Sequence, residues 1–255
     1  MRLLISLEKL LCQFGLDFRK VAVGLFELPH FILSARRYSS AAVKSEFPLS
    51  IRELRPMLHD RRVQAGQVNR IYFFQDLWGA RKVRSKMPAR HVDVGSSLEG
   101  FVSHLLCFMP VEVIDIRPLD LSAQGLSFIR EDATTMERFP DNSLESISCL
   151  HAAEHFGLGR YGDAVKVDGY VDIMRALARV LKPGGALYFS VPVGRQRVQF
   201  NSQRIFDPLT IIRHFQGLRL VSFSGVNDNG EFVENAAPAD FSGLNCGCGM
   251  FEFTK

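Results

Sequence analysis

The chain has 255 residues, 47% hydrophobic and 23% charged, with a formal net charge of +4. Such a composition fits a folded protein with one full core plus an extension, and excludes a disordered, collagenous or disulfide-scaffold chain. Mild basicity without interleaved aromatics or a nucleic-acid motif makes no case for DNA or RNA binding, while leaving an acidic substrate open.

Residues 1–33 are rich in Leu and Phe, yet Glu8, Lys9, Asp17, Arg19, Lys20 and Glu27 interrupt every apolar run. None reaches the roughly 18 to 20 residues of a membrane span, and no uninterrupted core with a small-residue cleavage site marks a signal peptide. Leu3, Leu7, Leu10, Leu11 and Phe14 recur at helical spacing, as do parts of 21–33 around a break expected at Pro29. The stripe reads as core packing or a subunit contact of a homo-oligomer; the alternative is peripheral membrane contact through an interfacial helix. Residues 39–56, with Pro48 and Pro56, read as a connector. A helical extension (1–66) therefore precedes an α/β domain (67–255), whose lead-in helix at 67–84 is expected to carry Gln75, Asp76 or Trp78 to the mouth of a site. The five cysteines contain no Cys-x-x-Cys pair, which implies buried thiols in a reducing cytoplasm and no metal.

Three short runs follow, each bounded by turn residues: His-Val-Asp-Val-Gly (91–95), Val-Glu-Val-Ile-Asp-Ile (111–116) and Leu-Ser-Phe-Ile-Arg-Glu-Asp (126–132). They read as buried strands. Acids at successive strand ends share one rim of a parallel sheet, where such sheets bind ligands. A fourth strand is expected at 141–148. Then comes a helix whose apolar face includes Tyr170, Ile173, Met174, Leu177 and Val180, ended by Pro183-Gly184-Gly185 before a strand at 186–192. Asp207-Pro208 reads as a capped helix start, with strands expected at 218–226 and 250–254.

In their order, Asp93-Val94-Gly95, Asp115-Ile116 and Asp132-Ala133 resemble the motifs of class I S-adenosylmethionine-dependent methyltransferases. Asp141 to Ser148 with His151-Ala152-Ala153-Glu154-His155, and Leu181-Lys182-Pro183-Gly184-Gly185, are similar to the small-molecule branch. The segments 155–163 and 193–206 resemble an uncharacterised domain-of-unknown-function family. The resemblance covers roughly 75–255 and implies a Rossmann-like seven-stranded, mainly parallel sheet with its last strand antiparallel. It implies S-adenosylmethionine held by Asp93, Gly95, Ser96, Ser97, Asp115, Ile116, Asp132 and Ala133. Gly95 would turn the backbone sharply beside the methionine part, and a helix near 101–109 would offer its N-terminus to the carboxylate. Asp115, 115 − 95 = 20 residues on, would take the ribose hydroxyls. Asp132 would meet the adenine amino group, with Ala133 leaving room for the ring. The family's alternate glycines are replaced here by Ser97 and Glu99, with Gly100 one position late. A nicotinamide enzyme is the lesser alternative, since Gly95 to Gly100 has glycine only at its ends.

Acceptor chemistry is expected beyond the fourth and fifth strands. His151 or His155 is a candidate general base, with the competing reading that Glu154 and His155 tie the loop to the sheet. Glu154, Asp163, Arg195, Arg197, Asn201 and Arg204 are candidate substrate contacts, the arginines for an anionic acceptor. The expected activity is methyl transfer to O or N of a small molecule, such as a sugar or glycan precursor. The alternative is a catalytically silent methyltransferase-like interaction module.

Overall fold

The computed structural model describes residues 2–255, with side chains from Glu8 onward. It divides into two compact units, Met1–Gln67 and Val68–Lys255.

In the first unit, α1 (Arg2–Gln13) leads through a left-handed turn at Gly15 into α2 (Phe18–Ala41). The Asp17 side chain caps α2 by accepting from the amides of Arg19 and Lys20. Contrary to the break expected at Pro29, α2 runs through it. Proline removes only the hydrogen bond its own nitrogen would have donated to Leu25, and the flanking turns carry the helix on. The side chains of Leu3 and Leu7 lie outside the described residues; Leu10 and Phe14 of the same stripe are exposed. Glu27 is buried on the other side of α2, where Arg61 (2.8 Å) and Arg62 (2.6 Å) grip its carboxylate. The Arg61 hydrogen bond, with support from Arg62, holds that carboxyl below its ordinary range. No described helix is long and apolar enough to cross a membrane.

In the second unit, α3 (Arg70–Lys86) is capped by Asn69. The strands are β1 (Val92–Val94), β2 (Val111–Asp115), β3 (Leu126–Arg130), β4 (Leu144–Leu150), β5 (Leu181–Val193), β6 (Arg197–Gln199), β7 (Gln203–Ile205), β8 (Arg219–Val226), β9 (Phe232–Val233) and β10 (Gly247–Thr254). The main sheet has the order β3-β2-β1-β4-β5-β10-β8-β9; β6 and β7 form a separate hairpin. The first five strands pair in parallel, while β10 runs antiparallel to both β5 and β8. Seven strands follow the expected plan, and the two-residue β9 adds an eighth at the edge. The chain reversal at 182–185 is absorbed as a register shift between β4 and β5, so β5 begins at Leu181.

Both faces of the sheet are covered. One core joins α3 and α4 (Ser103–Leu106) to Tyr188 and Met250; the other joins α5 (Gly169–Val180) and α6 (Pro208–His214) to Phe189, Phe251 and Phe253. Phe189, Phe215, Phe251 and Phe253 interlock with centroids 4.9 to 6.4 Å apart, within the range of favourable aromatic packing. This double layer makes the C-terminal rim of the parallel strands a rigid platform.

Candidate functional site

At that rim the first turn is set by a buried polar knot. The Asp93 carboxylate accepts from the amide and hydroxyl of Ser96 and from the hydroxyl of Ser148. The Ser96 hydroxyl in turn accepts from the Leu150 amide. Asp93 and Ser96 therefore hold the turn in shape: Asp93 is enclosed within the protein and does not line the cleft, whereas Ser96 lines it. Gly95 has φ +65°, and a Cβ there would lie 3.1 Å from that of Ala152. The following helix is shorter than expected. A turn at Leu98–Val102, capped by Ser97 through the Gly100 amide, runs into α4 and ends at Leu106. Gly100 is required because the Asp76 carboxylate packs where its Cβ would be, 1.9 Å away.

A cleft opens beside Gly95. Asp115, Ile116, Asp132, Ala133 and Thr134 line one compartment; Tyr72, Ser97, Glu99, Arg160 and Gln203 line the other. The two share Gly95, Asp115, Arg117, His151, His155 and Tyr161. One oxygen of Asp132 takes the amide and hydroxyl of Thr134, and Oδ2 has no partner among the described residues. Both oxygens of Asp115 face Arg117: Oδ1 accepts from its amide (2.9 Å) and Nε (3.0 Å), Oδ2 from a terminal nitrogen (2.6 Å). The same guanidinium lies 4.4 Å over the Tyr161 ring.

Residues 155–168 roof the cleft. Asp163 is the hub of this loop, accepting from the amides of Gly157 (2.8 Å), Gly159 (3.3 Å) and Tyr161 (3.2 Å). Gly157 is fixed by sterics, since a Cβ would stand 2.0 Å from the Lys166 carbonyl oxygen. Arg204 is buried and donates to the carbonyls of Glu154, Phe156 and Val167, while stacking on Tyr170. Of the residues read from sequence as substrate contacts, Asp163 braces the roof and also lines the cleft, while Arg204 braces the roof from outside it. Arg197 donates to the carbonyls of Arg195 and Asn245. Asn201 occupies a left-handed position (φ +62°) in the turn between β6 and β7. Arg195, Arg197, Asn201 and Arg204 do not line the cleft. Gln75 and Asp76 are buried and hydrogen-bonded to each other, and Trp78 packs in the core. Tyr72, one turn earlier on α3, reaches the mouth instead.

The two histidines differ. His151, at the end of β4, has φ +50°, with its amide bonded to the Ser190 carbonyl. Both of its ring nitrogens are shielded from solvent without a hydrogen-bond partner, and burial lowers its pKa to about 3. Tyr72 meets the ring edge-on at 5.4 Å. His155 lies with Nδ1 2.7 Å from the Ser202 carbonyl oxygen. A carbonyl can only accept, so Nδ1 carries the proton and Nε2 presents its lone pair. Burial lowers this pKa to about 4. Beneath it, 3.7 Å from Nε2, Glu154 is buried with one oxygen unpartnered, and desolvation raises its pKa to about 8. At neutral pH the site thus holds two uncharged imidazoles and a protonated carboxyl. No group of three or more His, Cys, Asp or Glu suited to a metal ion occurs among the described residues.

Arg117, Tyr161, Arg160 and Tyr72 are cleft residues that sequence reasoning passed over. The only signal for Arg117 was its place two residues after a strand-ending acid.

A family described as Caenorhabditis protein of unknown function, DUF268, matches residues 125–237. Comparison with curated proteins finds no match. Among solved structures, the chain is similar to the [4+2]-cyclase SpnF, with 14% identity, 71% of this chain and 81% of that one covered, and a TM-score of 0.53. It is also similar to the Burkholderia thailandensis 1,6-didemethyltoxoflavin-N1-methyltransferase, whose structure holds its substrate and S-adenosylhomocysteine. There the identity is 12%, the coverage 72% and 79%, and the TM-score 0.52. A Leishmania major S-adenosylmethionine-dependent methyltransferase matches at 16% identity, with coverage of 71% and 72% and a TM-score of 0.50. With six parallel strands, an inserted antiparallel strand and the cleft at the glycine turn, the chain has the fold of the class I S-adenosylmethionine-dependent methyltransferases.

Proposed function

We propose that the chain transfers a methyl group from S-adenosylmethionine to an oxygen or nitrogen atom of a small molecule. The observation that carries this reading is the meeting, in one cleft, of groups suited to an adenosyl ligand with two neutral histidines. Gly95 lines both compartments at a left-handed φ that a side chain would strain. Ala133 leaves room for a flat ring, and the open Oδ2 of Asp132 suits an exocyclic amine. Asp115 suits a ribose hydroxyl, since a carboxylate accepts about four hydrogen bonds and Arg117 uses three. When bound, S-adenosylmethionine supplies an electrophilic methyl on its sulfonium.

His155 then receives the acceptor's proton at Nε2. Its low basicity makes that transfer late, when attack has already made the hydroxyl or ammonium proton acidic. Alignment supplies much of the remaining rate, and the roof loop limits the access of water. An acceptor hydroxyl on a sugar or glycan precursor is the finer form of this reading and rests on family resemblance alone. The free thiols of all five cysteines support a reducing, cytoplasmic setting.

A second reading is a silent binding module, favoured by the Arg117 guanidinium seated on Asp115. The [4+2]-cyclase among the similar structures also carries this fold. Calorimetric titration with S-adenosylmethionine, S-adenosylhomocysteine and NAD separates the readings. The enzyme binds the first two and ignores NAD; a folded chain that binds neither sulfur compound is the module.

A further inference from the structure

An apolar surface that the cleft does not use lies on α2. At 1.5 Å per residue its 24 residues extend about 36 Å. Projected at about 100° per residue, Phe18, Val21, Leu25, Phe26, Ile32 and Leu33 fall in one sector about 140° wide. These side chains are 41 to 67% exposed, so the rest of their unit leaves the stripe uncovered. The acid of this helix, Glu27, is withdrawn to the opposite side and neutralised by Arg61 and Arg62.

Charge is segregated in the same way. Residues 1–67 carry 11 basic and 6 acidic side chains, a net +5, whereas residues 68–255 carry 20 and 21, a net −1. Arg36 projects in line with Phe18, and Arg36, Arg37 and Lys44 have no ion-pair partner among the described residues. A second copy docking through this stripe would bring +5 against +5. An anionic headgroup layer offers the opposite charge and an apolar boundary at the depth of one helix face.

We propose that residues 1–67 form a membrane-surface anchor in which the exposed stripe of α2 lies in the headgroup region of an anionic bilayer. The helix lies along the surface, since no described helix is suited to crossing. Anchoring would hold the cleft-bearing unit near acceptors presented at a membrane.

Flotation of the full chain on phosphatidylcholine vesicles, with and without about one third phosphatidylserine, tests this. The expected result is at least about tenfold more binding to the anionic vesicles, released by high salt. Leu25→Glu with Ile32→Glu should abolish flotation while the helical circular dichroism and sedimentation coefficient stay unchanged. Arg36→Gln with Arg37→Gln, which leaves the apolar stripe intact, should weaken anionic binding by about tenfold. Equal binding to both vesicle types, or no flotation, overturns the proposal. So does a double-Glu variant whose sedimentation falls from dimer to monomer, which assigns the stripe to a second copy. A double-Glu variant with a lowered unfolding temperature of the cleft-bearing unit also overturns it, since the chain then covers its own stripe.

Discussion

Replacing Glu154 by Gln removes one titration from the buried centre of the site without changing its shape. Burial raises Glu154 from its ordinary 4.5 to about 8, so between those values the folded chain keeps a proton that the unfolded chain has released. Stability therefore falls as pH rises through this range. Three buried histidines act the other way. His91 and His151 are lowered to about 3 and His155 to about 4, from 6.5, so below pH 6.5 the unfolded chain binds protons that the folded one refuses. Asp93, raised from 3.8 to about 6, retains a proton in the folded state below pH 6. Above pH 6.5 the histidines are neutral and Asp93 ionised in both states, leaving Glu154 alone: about 1.4 kcal/mol per pH unit, or about 2 kcal/mol from pH 6.5 to 8. Below pH 6, the histidine protons on the unfolded chain outweigh two carboxyl protons on the folded one, and stability falls on acidification. The wild type should be most stable near pH 6.5. In Glu154→Gln the alkaline decline should vanish and the acid limb steepen, because one proton-retaining carboxyl is gone from the folded state. Urea denaturation followed by circular dichroism at half-unit steps from pH 5 to 8.5 measures both limbs. A variant that keeps the wild-type alkaline slope would refute a buried, protonated Glu154.

Asp115→Ala should weaken S-adenosylmethionine binding by about 1 to 3 kcal/mol through loss of a charge-assisted ribose contact, measured by calorimetry. Arg117→Ala, which frees Asp115 from a half-exposed pair worth about 0 to 1 kcal/mol, should tighten that binding by up to about fivefold; weaker binding would show that the arginine itself holds the ligand. Once an acceptor is found with labelled cofactor, His155→Asn should lower turnover by about 10² or more with cofactor affinity unchanged. Joint loss of stability and cofactor binding would instead make His155 structural. Arg204→Lys should lower the unfolding temperature, because an ammonium cannot span the three carbonyls of Glu154, Phe156 and Val167; a pure rise in acceptor KM would contradict this scaffold role.

The strand-end acids, Gly95 and the two histidines were legible in the sequence because each owes its position to local chemistry: a turn, a strand end, or a short offset from one. Arg204 and Asp163 were not. Their partners are backbone groups of a folded loop, and three carbonyls at 154, 156 and 167 leave no mark on residue type. The assignment of Gln75 or Asp76 to the cleft missed by one helical turn, since periodicity fixes a face but not how far along it the sheet edge lies. The continuation of α2 through Pro29 was hidden for a related reason. Local propensity penalises the proline, while the turns before and after it decide whether the helix survives.

The carbonyl of Ser202 receives both the Nδ1 proton of His155 and the Arg160 guanidinium. Because this acceptor is main chain, exchanging the side chain at position 202 leaves the imidazole tautomer unchanged. The side chain at 202 can thus vary while the histidine keeps one orientation, and point substitutions at 202 would record silence at a position on which the ring depends. Shortening the turn by a residue would move the oxygen itself. Length, rather than the side chain at 202, fixes where that oxygen stands.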